Sequence, residues 1–225
     1  MRTYPHTGNS WSFNIYLMDY TALIDYGMGN LRSVEKALEH VGLKVIRTSD
    51  ADVVKGARAV VLPGVGAFRD AMENLHRLKL YGPILSHIEK GKPFLGICLG
   101  LQLLFERSYE FGEERGFGVL EGEVVLLPPK VKIPHIGWNQ LWKKKNSSLL
   151  DSIKEGDFVY FVHSYRVVPK RAEVVLTTTD YGEEFVSSVE YENIFAVQFH
   201  PEKSQRVGLK ILQNWALAKG LIYNL

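Results

Sequence analysis

The chain has 225 residues, 46% hydrophobic and 23% charged, with 27 Lys plus Arg against 25 Asp plus Glu. At this length about 70% of the unfolded surface is buried on folding, so one core can form without disulfides or structural metal. The near-neutral balance leaves no field to gather nucleic acid or an anionic membrane, and the single cysteine, Cys98, excludes a disulfide framework or cysteine-clustered metal site and suits a reducing cytoplasm.

Residues 1–20 read as an appended, weakly structured extension and 21–225 as one domain. The apolar stretch 11–17 is interrupted by Asn14 and preceded by one basic residue, Arg2, which makes a poor signal peptide. From Ala22 short β-branched runs alternate with helical ones, the pattern of βαβ units around a parallel sheet. Strands are expected over 22–25, 44–47, 59–62 and 93–97, each closed by Gly, Pro, Asp or Ser. Between them, Asn30 caps a helix through Val34, Ala37, Leu38 and Val41 that stops at Gly42. Two further helices are expected over 68–80 and 83–90, the second ended by Gly91. The most hydrophobic stretch, 95–105, contains Gln102 and two glycines and falls short of the roughly 18 apolar residues of a membrane span. After about residue 115, strands crowd together over 119–127, 140–143, 158–163, 173–179, 185–189 and 195–199. A last helix, 203–218, carries Val207, Ile211, Leu212 and Trp215. The expected fold is α/β, a single domain with a central mostly parallel sheet, helices on both faces and antiparallel additions in the C-terminal half.

A lone cysteine is by habit a small buried hydrophobe, but Gly96-Ile97-Cys98-Leu99-Gly100 follows a buried strand and opens a helical run through Leu101, Leu104 and Phe105. That is the form of a nucleophile elbow, in which small residues two positions either side of the nucleophile let a sharp strand-to-helix turn throw the side chain outward. The positive end of the helix and a nearby base would favour the thiolate, and the Leu99 N–H would be one donor to an oxyanion. Of seven histidines, His40, His76 and His87 fall in helical stretches and read as solvated, and His6 lies in the extension. His200 instead ends a strand, where active-site residues of open α/β sheets gather. In Gln198-Phe199-His200-Pro201-Glu202 the proline breaks the strand, so Glu202 can reach back and fix the imidazole tautomer. A strand end followed by a helix-terminal acid explains His-Pro-Glu equally well when it is taken alone.

The elbow and the His-Pro-Glu turn together resemble the class I, triad-type glutamine amidotransferases, over essentially residues 21–220. The resemblance implies that Cys98 attacks the side-chain amide of L-glutamine, that His200 is the base and acid, and that Glu202 orients it. It makes Leu62-Pro63-Gly64-Val65-Gly66 the oxyanion strand, with an N–H at Gly64 or Val65 joining that of Leu99. Gly66, Gln102, Ser164 and Tyr165 become contacts to the substrate, with no metal and no cofactor. Asp25-Tyr26-Gly27-Met28-Gly29-Asn30 fails as a dinucleotide fingerprint because Arg32 stands where the third glycine belongs. With Pro134-His135-Ile136-Gly137-Trp138-Asn139, an aromatic beside polar residues in an expected loop, it resembles instead the glutaminase subunits of imidazole glycerol phosphate synthases. That likeness implies a (βα)₈-barrel cyclase partner in histidine biosynthesis, contacted by Trp138, Asn139 and Lys203, and an isolated subunit nearly inactive until the partner binds. The rivals are a glutaminase of the pyridoxal phosphate, anthranilate or guanylate routes, and a non-catalytic scaffold of the same fold.

Overall fold

The computed structural model describes residues 19–223. Four short apolar runs form the parallel half of the main sheet: β1 (Thr21–Ile24), β2 (Val45–Thr48), β3 (Ala59–Gly64) and β4 (Phe94–Cys98). Between them lie α1 (Leu31–His40), α2 (Ala51–Gly56), α3 (Phe68–Arg77) and α4 (Tyr81–Glu89). Sequence periodicity passes over α2, which is short. Its start is nonetheless chemically marked, because the Asp50 carboxylate accepts from the backbone N–H of Asp52 at 2.7 Å, satisfying a donor that the first turn leaves open.

The rest of the chain forms α5 (Leu99–Gln102), β5 (Phe105–Ser108), β6 (Glu114–Arg115), β7 (Leu120–Leu126), β8 (His135–Gln140), β9 (Trp142–Lys143), β10 (Phe158–His163) and β11 (Tyr165–Pro169). They are followed by β12 (Val175–Asp180), β13 (Glu184–Tyr191), β14 (Ile194–Val197) and α6 (Gln205–Ala218). The eight-stranded sheet runs β2-β1-β3-β4-β14-β13-β12-β9. Its first five strands are parallel and the last three pairings antiparallel, as the composition of the two halves implied. Side chains alternate across it: Val60 and Leu62 of β3 join α2, α3 and α4 in one core, while Ala59 and Val61 join α1 and α6 in the other. A two-stranded ribbon of β8 and β10 and a four-stranded sheet, β11-β7-β5-β6, complete the fold. Among the described residues no helix is long and apolar enough to cross a membrane.

Several expectations need correction. The helical run after Cys98 is one turn only, because the carbonyls of Leu103, Leu104 and Phe105 accept from the N–H groups of Phe117, Val119 and Gly118 instead of continuing a helix. The loop expected at 134–139 is mostly β8, paired along its length with β10, Trp138 opposite Tyr160. Of the expected extension, residues 1–18 lie outside the described residues, but Asp19 and Tyr20 belong to the fold. Asp19 pairs with Arg58 at 2.7 Å, and the Tyr20 hydroxyl donates to the Val53 carbonyl at 2.7 Å over a buried ring.

His87, expected in solvent, is buried, and its ring Nε2–H donates to the Pro93 carbonyl at 3.1 Å. Burial lowers its pKa to about 4; the hydrogen bond to Pro93 opposes this, and Lys92 and Lys90 add to it. A histidine depressed in the folded state stays neutral while the unfolded chain takes up a proton, so its contribution is complete above the ordinary pKa near 6.5 and is lost as pH falls toward 4. Across that window His87 alone should lower stability by up to about 1.4 kcal/mol per pH unit. Urea unfolding at a series of pH values should therefore show a shallower acid slope in His87→Gln than in the native chain; equal slopes would place this histidine in solvent.

Candidate active site

β4 ends on Cys98, whose backbone sits at φ +55°, a left-handed conformation that costs a residue with a Cβ about 1–3 kcal/mol and is retained where neighbours over-determine it. Those neighbours are close. A Cβ on Gly96 would stand 2.7 Å from the Gly100 carbonyl oxygen, and one on Gly100 would overlap the carbonyl of Leu62 on β3. The small residues either side of Cys98 are thus required by contact, and the sulfur is thrown to the carboxyl end of the parallel strands. Because α5 has four residues, its macrodipole is slight, and electrostatic support for the sulfur falls to side chains instead.

His200 provides it. The ring is buried, and its Nδ1–H donates to Glu202 Oε1 at 2.8 Å, both side chains being almost fully removed from solvent. Nε2 is buried with no hydrogen-bond partner among the described residues, and the Cys98 sulfur acts on the ring through its charge. The turn that carries the pair is clamped: His200 N–H donates to the Tyr160 carbonyl at 2.8 Å, and the Ser204 hydroxyl donates to the His200 carbonyl at 2.6 Å while accepting Tyr160 N–H at 2.9 Å. Burial alone would lower the imidazole pKa; the charge of Cys98, and then the hydrogen bond and charge of Glu202, overcome it and raise it to about 10. The site holds an imidazolium beside sulfur.

A cavity of about 310 Å³ opens over the sulfur, lined among others by Val65, Gly66, Leu99, Gln102, Ser164 and Tyr165. That volume is at the lower end for a small-molecule site. Gly64 lies one step behind Val65 and is the register partner of Cys98 across β3 and β4. A Cβ there would collide with the Tyr26 hydroxyl, so the strand reaches the sulfur only as glycine. Gln102 is buried and donates to the Tyr165 carbonyl at 3.0 Å and to Gln198 Oε1 at 3.1 Å. Glu110, His163 and Gln198 were assigned no role from sequence, yet Glu110 and His163 line the same cavity and Gln198 touches the sulfur. Glu110 and His163 arrive from strands and loops that only tertiary pairing brings together. Gln198 alone carried a signal, since it stands two positions before His200 and therefore on the same side of an extended chain.

The residues expected at a partner surface divide. Trp138 is exposed, its ring edge-on to Tyr160 at 6.0 Å, and the Lys203 ammonium lies over the Tyr160 ring, 5.7 Å from its centre. Ile136 and Phe158 extend the same exposed apolar face of the β8–β10 ribbon. Asn139, half-buried, lies by alternation along β8 on the opposite face, where its Nδ2 donates to the Asp180 carbonyl at 2.8 Å and approaches His135 Nε2 at 3.3 Å. Among the described residues no group of three or more His, Cys, Asp or Glu is placed to hold a metal ion.

A strained cysteine at a strand-to-helix elbow, with a carboxylate-held histidine and a small cavity nearby, is an arrangement that suits a cysteine nucleophile, and residues 22–218 match the family model for glutamine amidotransferase class-I. The chain belongs to that family. It is 68% identical over 196 residues, 87% of this chain and 95% of the relative, to the imidazole glycerol phosphate synthase subunit HisH of Aquifex aeolicus. It is 54% identical over 193 residues, 86% and 95% of the two chains, to the subunit of the same name from Caldanaerobacter subterraneus. Among solved structures it resembles a glutamine amidotransferase crystal structure with TM-score 0.70 at 17% identity, covering 88% of this chain and 98% of that one. It also resembles the PurLQS structure of Thermotoga maritima, with TM-score 0.69 at 22% identity over 88% and 98%.

Proposed function

We propose that this chain is the glutaminase subunit of an imidazole glycerol phosphate synthase, a cytoplasmic enzyme of histidine biosynthesis, and that it releases ammonia from L-glutamine for a (βα)₈-barrel cyclase partner. The observation that carries the chemistry is the Cys98 sulfur at the floor of the cavity, beside an imidazole whose far nitrogen is fixed by Glu202 at 2.8 Å. The high identity to HisH subunits favours this synthase over other glutaminases of the family.

The Cys98 thiolate attacks the side-chain amide carbon, and the oxygen that gains charge is met by the Leu99 N–H and by an N–H at Gly64 or Val65. His200 gives its Nε2 proton to the departing nitrogen, releasing ammonia and leaving a glutamyl thioester. The imidazole, now neutral, takes a proton from water, hydroxide adds to the thioester, and glutamate leaves as the thiolate is restored. Glu202 keeps Nδ1 protonated throughout, so the catalytic nitrogen is always Nε2. At the cavity wall, the Glu110 carboxylate suits the α-ammonium of an amino acid, with Gly66, Gln102, Ser164 and Tyr165 holding the rest of the substrate. The exposed face bearing Trp138 and Lys203 suits the partner, an aromatic anchor beside a cation that can meet a carboxylate.

Mass spectrometry of the chain in complex with its synthase partner, after exposure to a glutamine-mimicking diazoketone, should show one adduct, on Cys98, suppressed by excess glutamine. An unmodified protein would reduce the chain to a non-catalytic scaffold. Copurification with a partner that is not a (βα)₈ barrel would move it to another pathway.

A further inference from the structure

Gln198 has no part in the triad, yet it is fully buried and its Nε2 lies 3.6 Å from the Cys98 sulfur. An amide can offer a neighbour either hydrogens or an oxygen, and here its hydrogen-bond partners decide which. The Tyr165 carbonyl can only accept, and it takes His163 Nδ1–H at 2.9 Å and Gln102 Nε2–H at 3.0 Å. Gln102 is thereby pinned with its NH₂ toward Tyr165, and the same NH₂ donates to Gln198 Oε1 at 3.1 Å. With its oxygen engaged there, Gln198 presents N–H to the sulfur.

The same reasoning extends outward from His163. With Nδ1 donating, the neutral ring must accept at Nε2, and the donor is His135 Nδ1 at 3.0 Å. His135 then accepts at Nε2 from Asn139 Nδ2 at 3.3 Å, and Asn139 Oδ1 takes the Gln140 N–H at 2.8 Å. Burial lowers the pKa of His135 to about 4 and is the largest influence lowering that of His163 to about 3, so both rings stay neutral and each tautomer is the one the chain requires. The polarity of every link, from β8 to the nucleophile, is thus determined.

We infer that Gln198 is a further catalytic residue of the glutaminase, whose amide N–H donates to the Cys98 sulfur and favours the thiolate, and that Gln102, held by Tyr165 and His163, is the positioning residue that keeps the amide from turning its oxygen to the sulfur. A donor to sulfur is strengthened when the sulfur is charged, so the amide discriminates between thiolate and thiol. The thiol itself lies 3.8 Å from the Val162 carbonyl, a contact that only the protonated form can use. On ionisation that contact is lost, whereas the one from Gln198 gains. The inference rests on Cys98 being the nucleophile, and its test reads the state of the sulfur instead of turnover.

Because Cys98 is the one cysteine in the chain, ultraviolet thiolate absorbance and the rate of alkylation by iodoacetamide report on it alone. In the full-length chain, Gln198→Met should lower the alkylation rate at neutral pH about tenfold, the worth of a hydrogen bond to a charged group, and should move the appearance of thiolate to higher pH. Gln102→Met, which touches Gln198 but frees its amide to turn, should act in the same direction by less. Profiles of both variants that overlay the native one, with native thermal melting, overturn the proposal. The native chain supplies an independent measurement: ionising the sulfur should shift the side-chain NH₂ resonances of Gln198 in nitrogen-15 spectra, and resonances that do not move overturn the proposal even where the variants fail to fold. A native chain that forms the diazoketone adduct while these tests fail would leave the nucleophile in place and remove only the role of Gln198.

Discussion

Replacing Cys98 with alanine should cut glutamine-dependent synthesis by the complex about 10⁴-fold or more, the scale on which removal of a covalent nucleophile is felt, while synthesis supplied directly with ammonium salts continues at the native rate. The separation is expected because the substitution is local. Alanine shares the Cβ of cysteine, so the left-handed backbone at φ +55° carries the same strain, and the Gly96 and Gly100 contacts that set it are untouched. The exposed face bearing Trp138 and Lys203, proposed above for the partner, lies on other elements, so assembly should be unaffected. The sulfur is also the largest influence raising the His200 pKa. Without it, burial works against Glu202 alone, and the imidazole should titrate well below its native value of about 10. Parallel assays with glutamine and with ammonia, together with the His200 ring signals across a pH series, check all three points. Retained glutaminase would remove Cys98 from the mechanism, and loss of the ammonia-dependent reaction would mean that the elbow supports the interface as well as the chemistry.

The parallel half of the fold was legible because each of its signals is local. β1 to β4 are apolar runs closed by residues that end strands, and α1 stops at Gly42, where φ is +96°. The elbow was legible for a related reason: a nucleophile on a sharp turn needs glycines at 96 and 100 whatever surrounds it. Where the sequence misled, the deciding contact was distant. Nothing near Leu103 announces that Phe117 will take its carbonyl, so the apolar run 101–105 read as a helix that the structure cuts to one turn. β8 was hidden by inversion, since its inward positions are His135, Gly137 and Asn139 and its outward ones Ile136 and Trp138. Hydrophobic alternation assigns apolar residues to the core, and a ribbon whose buried side is a polar chain and whose exposed side is apolar defeats it.

His87 and Gln198 failed in the opposite direction. Each is a polar residue taken for solvated or left unremarked, and each is buried with a specific partner, Pro93 for the one and Gln102 with Cys98 for the other. Burial of a polar group is stable only with its hydrogen bonds made, and those partners are set by strand order, which is a property of the whole sheet. Residues on recognisable motifs, Ser164 and Tyr165 among them, could therefore be nominated from sequence, whereas Glu110, His163 and Gln198 were nominated only once the fold placed them around the sulfur.

Gly100→Ala should destabilise the chain by about 3 kcal/mol or more, although alanine is intrinsically the better helix former by about 1 kcal/mol. Two effects compete at this position, and geometry decides between them. The new Cβ would overlap the Leu62 carbonyl oxygen, a backbone atom fixed by the pairing of β3 with β4, where Leu62 stands opposite Gly96. Relief would require α5 to lift from the sheet or the two strands to part, and overpacking of this kind costs about 1–3 kcal/mol even where side chains can yield; here the obstacle is main chain. Gly82, in the first turn of α4, is the internal control, since a Cβ there meets nothing within 4 Å. Gly82→Ala should raise stability by about 0.5–1 kcal/mol, so the same exchange in two helices should move urea midpoints in opposite directions. Because α5 carries Leu99 and Gln102 as well as Gly100, any lift that accommodates the methyl also displaces the N–H proposed to meet the oxyanion and the side chain that bonds Gln198. Gly100→Ala protein that survives folding should then lose glutamine turnover while keeping ammonia-dependent synthesis. A variant as stable as the native chain would mean that helix and strand do not meet at this glycine.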